Sequence, residues 1–145
     1  MIPDDGGPPS WPDLIALHNE MGDPDPVRRW RAVALTFALD ARDGWEHLLP
    51  MATLAAWVGG QPWGALLYPG TSMTRLTVRD RPGPIGDEPC LVCHVEPLFG
   101  DARAPRETLR CAIATPGRRT EAQSAPILRA RELFAAFANR LLMGG

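Results

Sequence analysis

Three short segments of this chain alternate apolar and polar side chains, and proline-rich stretches hold them apart. Thr74, Leu76 and Val78 interleave with Arg75, Thr77 and Arg79; Leu91, Cys93 and Val95 with Val92, His94 and Glu96; Leu109, Cys111 and Ile113 with Arg110 and Ala112. A period of two marks a strand with one buried face and one wet face. Arg81-Pro82-Gly83-Pro84-Ile85-Gly86 and residues 100–105 have the composition of loops, and Pro116-Gly117 closes the third segment.

An antiparallel meander is the simplest arrangement, and loop midpoints then set its register. Centring the first loop between Pro84 and Ile85 puts Leu76 opposite Cys93 and Val78 opposite Leu91. Centring the second on Ala102 puts Cys93 opposite Cys111, Val95 opposite Leu109 and Leu91 opposite Ile113. Every apolar set falls on one face, although the loops are centred without reference to polarity. A slip of one residue would reverse the faces, so the agreement supports the register.

The segment before residue 62 reads as helical. Ser10 is suited to cap a helix containing Leu14, Leu17 and Met21 at helical spacing, and Gly22-Asp23-Pro24 ends it. Asp25-Pro26 starts a second helix, with Asp as cap and Pro at the first helical position. Val27, Trp30, Ala34 and Phe37 form its apolar stripe, leaving Arg28, Arg29 and Arg31 as a wet flank. Asp43 with Glu46 has the spacing of a capping box opening a third helical stretch, which Pro50 must kink or divide and Gly59-Gly60 ends. A last helix is expected from about Ala125 to Met143, with Leu128, Phe134, Phe137 and Leu141 on its buried side. Sixteen prolines in 145 residues keep all these elements short. The expected fold is α+β: three N-terminal helices, a three- or four-stranded antiparallel meander and a C-terminal helix packed on the sheet. Residues 1–9 read as a flexible arm and 10–145 as a single α+β domain.

Composition narrows the function classes. The net charge of −2 gives no long-range attraction to nucleic acid, and Arg28-Arg29-Trp30-Arg31 is too local to change that expectation. The longest apolar run, residues 51–58, is far short of the ~20 needed to span a bilayer. All 15 basic residues are Arg, a skew that fits a GC-rich bacterial genome. Three cysteines are an odd number, and residues 1–9 carry neither a basic start nor an apolar stretch, so the expected setting is cytoplasmic with reduced thiols.

Cys90-Leu91-Val92-Cys93-His94 has the C-x-x-C-H spacing of covalent haem attachment, and with Cys111 it offers candidate thiol or zinc ligands. The strand register weighs against both, because Cys90 and Cys93 then point to opposite faces, and Leu91-Val92 are poor residues for the turn of a zinc knuckle. Packing as small hydrophobes is the simpler role for Cys93 and Cys111. On the polar face Arg75, His94 and Arg110 form a row across the sheet, a surface suited to an oxyanion or acidic partner because guanidinium forks match such groups. Two like charges beside His94 predict a lowered pKa unless Glu96 competes. Trp45, Trp57, Trp63 and Tyr68 suit a core with paired indole N–H groups, and His18 and His47 fall on different helices. No G-x-S-x-G, phosphate loop or dinucleotide fingerprint is present. The expectation is a small bacterial accessory or adaptor protein acting by contact with another protein, with no cofactor and no catalytic residue. The alternatives are a small-molecule, oxyanion-binding or thiol-dependent enzyme, and a haem or zinc protein.

Overall fold

The structure is a computed structural model describing residues 11–83, 86–96, 108–115, 117–119 and 122–144. Residues 1–10, and with them the arm and the Ser10 cap, lie outside the described residues, as do 97–107, Pro84, Ile85 and Pro116. Helices α1 (Trp11–Glu20), α2 (Pro26–Arg42) and α3 (Leu49–Gly59) come first. Strands β1 (Tyr68–Ser72), β2 (Arg75–Arg79), β3 (Cys90–Glu96), β4 (Thr108–Thr115), β5 (Arg118–Arg119) and β6 (Gln123–Pro126) follow, and α4 (Ala130–Leu142) closes the chain. The sheet runs β1-β2-β3-β4, with β5 and β6 both pairing along the far edge of β4. Among the described residues, six segments thus fill five strand positions, all antiparallel. Among the described residues, no helix is long and apolar enough to cross a membrane.

The register agrees with the loop midpoints at every expected pair. Leu76 faces Cys93 and Val78 faces Leu91; Cys93 faces Cys111, Val95 faces Leu109 and Leu91 faces Ile113. All these side chains are buried together with Trp30, Phe37, Phe134 and Phe137, so the helices crowd one face of the sheet. Helix α4 packs on β4 and β3, as expected of the C-terminal helix.

The strand count departs from the expectation of three or four. Strand β1 is concealed by Pro69-Gly70, which reads as a turn, and its hairpin turn is Met73-Thr74. Met73 sits at φ 57, in the left-handed region that Asn or Gly would occupy more cheaply. Strands β5 and β6 are too short for alternation to register. The last helix accordingly starts later than Ala125: β6 occupies that stretch, and a 3-10 turn at Ile127–Arg129 leads into α4. Leu128 on that turn is 97% exposed instead of buried.

Three further expectations need correction. The Asp43–Glu46 capping box does not form: Asp43 is the C-cap of α2, and a 3-10 turn at Glu46–Leu48 precedes α3. Pro50 divides the stretch by falling within the first turn of α3, where its missing N–H costs nothing. Val27 is exposed. Arg29, assigned to the wet flank, is the one buried charged residue among those described.

Arg29 is buried because backbone carbonyls surround it. Its Nε donates to Leu67 O at 3.0 Å, Nη2 to Ala65 O at 2.6 Å, and Nη1 to Pro24 O at 3.1 Å and Asp23 O at 3.3 Å. The Tyr68 ring stacks 4.2 Å from the guanidinium carbon. Next to it, the fully buried Trp30 donates its indole N–H to Gly64 O at 3.0 Å. Gly64 must lack a side chain, because a Cβ there would strike Val58 O. These bonds tie α2 to the segment that leads into the sheet.

Two stability outcomes follow. Arg29→Ala removes one buried and three part-buried hydrogen bonds and leaves a cavity where the guanidinium packed, and should cost about 3 kcal/mol; Arg29→Lys should recover only part of that, since one ammonium cannot span the fork. Chemical denaturation of the two variants checks this; a loss below about 0.5 kcal/mol for Arg29→Ala would refute the tie. Cys93→Ala should cost on the order of 1 kcal/mol, and Cys93→Asp several, because a carboxylate there has no partner. Equal losses for the two variants would place Cys93 outside the core.

Candidate functional site

The polar face of the sheet is built by the same alternation that buries Cys93 and Cys111. His94 lies directly opposite Arg110 in the β3–β4 ladder. One step beyond the Leu76–Cys93 pair, the β2–β3 register brings Arg75 to the other side of His94. The expected row is therefore assembled: Arg75, His94 and Arg110 share one face. Glu96 joins them from two residues along β3, its Oε1 lying 3.8 Å from His94 Nε2 and 3.7 Å from Arg110 Nε. That oxygen is buried and accepts no hydrogen bond among the described residues. Glu96 thus offsets Arg110 through space, while the Arg75 side chain makes no ion pair among the described residues.

The His94 side chain is 16% exposed, and its pKa is lowered. Burial is the largest cause, Glu96 opposes it, and Arg75 and Arg110 add to the lowering. The expected direction holds, but desolvation outweighs the like charges on which the expectation rested. A lowered pKa means that the unfolded chain takes up this proton first as pH falls. Stability should therefore be full above the ordinary histidine value near 6.5 and decline below it, until the folded pKa is passed. His94→Gln should remove that part of the pH dependence; an unchanged slope of stability between pH 7 and 5 would show that His94 does not titrate as described.

The thiols separate as the register requires. Cys90 is half-buried on the polar face opposite Ala114, and burial raises its pKa. Cys93 and Cys111 are fully buried on the apolar face, their sulfurs 3.2 Å apart. The thiol of Cys93 is pushed well up, first by burial and then by Cys111. Cys90 and His94 therefore lie on the face opposite Cys93, so the three groups of the C-x-x-C-H motif do not converge on one ion or one porphyrin edge. Among the described residues, no group of three or more His, Cys, Asp or Glu is placed to hold a metal ion.

Two concavities escaped the sequence reading. His18, Met21, Tyr68, Gly70 and Arg79 line a cavity of about 360 Å³ between α1 and the β1 edge of the sheet. Leu49, Pro50, Leu54, Ile127 and Ala130 line an apolar groove of about 250 Å³ between α3 and the start of α4. Neither has a sequence signal, since each is formed by elements far apart in the chain. Trp57 and Trp63 pack edge to face with centroids 5.7 Å apart, and Trp63 stacks on Phe134 at 6.2 Å, so both serve packing. Trp45 lies half out of the core beside His47.

No family model matches the chain, and neither the curated proteins nor the solved structures contain a significant match.

Proposed function

We propose that this chain is a small bacterial accessory or adaptor protein, acting by contact with another protein and docking an acidic segment on the polar face of its sheet. The observation that supports this reading is the Arg75–His94–Arg110 row, in which Glu96 lies close to Arg110 and His94 and, among the described residues, Arg75 has no carboxylate within ion-pair distance. Side chains beside the row are small or short: two residues along the strands, Thr77 and Val92 pair across β2 and β3, and Val92 and Ala112 across β3 and β4. Short side chains beside the charges leave room for an extended segment to lie along the row. Exposed ion pairs contribute only about 0.2–1 kcal/mol each, so the charges select and orient the partner while apolar contact supplies most of the affinity. An incoming carboxylate near Arg75 would also favour the imidazolium form of His94, coupling docking to proton uptake.

Nuclear magnetic resonance titration with a Glu/Asp-rich peptide at low salt tests the reading. The expected result is a set of perturbed resonances centred on Arg75, His94 and Arg110, with a rise in the His94 pKa. Combining Arg75→Ala and Arg110→Ala should weaken binding about five-fold, the equivalent of about 1 kcal/mol. Perturbations confined to the helical side, or an affinity indifferent to both substitutions, would remove the row from any docking role.

A further inference from the structure

We propose that Cys93 and Cys111 are a modification site, joined by a hydroperoxide into a reversible cross-strand disulfide that locks β3 to β4. The two residues are directly opposed in the ladder, and their sulfurs stand 3.2 Å apart with no side chain between them. A disulfide needs a sulfur–sulfur distance of about 2.05 Å, so closure requires a shift of only ~1 Å. Strands held in register on both sides keep the pair facing each other, which gives each thiol a high effective concentration toward its neighbour.

The chemistry balances with one equivalent of oxidant. One thiol, as its thiolate, attacks the peroxide oxygen; the O–O bond breaks, the sulfur becomes a sulfenic acid, and the alcohol or water departs with the proton. The second sulfur then attacks the sulfenic sulfur, the S–O bond breaks, and water leaves. Two electrons pass from the thiol pair to the peroxide, and the net products are disulfide, alcohol and water. Placement of the second thiol in contact with the first favours this resolution over further oxidation.

Burial sets the pace. Both thiols are fully covered, with α4 packed over β4 and β3, and desolvation disfavours the thiolate of Cys93. Oxidation therefore proceeds through transient lifting of that cover, and the site responds to sustained oxidant instead of a brief pulse. Once formed, the bond closes the segment between the two strands and restricts the unfolded chain. It also lies directly beneath the row, because His94 and Arg110 are the chain neighbours of Cys93 and Cys111. The inference does not depend on the row binding any partner.

The test exposes the native protein to hydrogen peroxide, then unfolds it in alkylating reagent and maps the products by mass spectrometry. The expected species has lost 2 Da, the mass of two hydrogens on the balance above. It should carry a peptide pair linked through Cys93 and Cys111, and return to free thiols with dithiothreitol. Its melting temperature should rise by about 5 °C or more. Linkage should accelerate in sub-denaturing urea, and Cys111→Ser should show neither linkage nor the thermal gain. Full alkylation of both thiols after prolonged exposure, linkage through Cys90 instead, or a linked form that melts lower than the thiol form would each overturn the proposal. A rate indifferent to urea would contradict the gate set by burial.

Discussion

Strand β3 is hydrogen-bonded on both sides, to β2 and to β4, so its backbone has no freedom to shift and its seven side chains are divided strictly between two faces. Leu91, Cys93 and Val95 enter the core; Cys90, Val92, His94 and Glu96 do not. That single division separates the cysteines of a motif that resembles a haem attachment site. It also places the thiol of Cys93 against Cys111, and it lifts His94 into a row with arginines from both flanking strands. The core, the polar row and the thiol pair are three consequences of one register.

A second constraint joins the helices to the sheet. The 3-10 segment at Pro62–Leu66 and the residue after it present carbonyls at Gly64, Ala65 and Leu67, and α2 answers with the indole of Trp30 and the guanidinium of Arg29. A helix flank that reads as solvated in isolation becomes the anchor between α2 and the sheet, because Arg offers five donors in a fixed fork and can bind several carbonyls at once, that of Leu67 in the interior. Burial lowers the pKa of Arg29, but an arginine starts so high that it remains charged. The carbonyls do the work that a carboxylate would do elsewhere.

What was legible in the chain was periodic, and what was hidden was not. Alternation in β2, β3 and β4 reported their faces directly, and proline-bounded loops reported their pairing; the whole row and the opposed thiols follow from those two signals. Strand β1 was hidden because Pro69 and Gly70 lie inside it and because its turn uses Met73-Thr74, with Met73 at a positive φ that a bulky residue seldom adopts. The burial of Arg29 was hidden because its acceptors at Ala65 and Leu67 lie 36 and 38 residues away. Leu128 departs from expectation for a local reason: the helical stripe that buries Phe134 and Phe137 does not continue back across Pro126, where the chain is a strand and then a 3-10 turn. The two cavities carry no local trace at all. Candidate site residues on a regular strand were thus within reach of the sequence, whereas long-range backbone recognition was not.

The central claim is that β3 divides its side chains so that Cys93 meets Cys111 in the core while His94 stands outside between Arg75 and Arg110. Cross-strand proton contacts measured by nuclear Overhauser spectroscopy test it without any substitution. The account requires backbone contacts linking Leu76 to Cys93, Cys93 to Cys111 and His94 to Arg110. Contacts linking Cys93 instead to Arg110 or Ala112 would mean a register slipped by one residue. They would put Arg110 or Ala112 on the same face as Cys93, and dissolve both the row and the thiol pair.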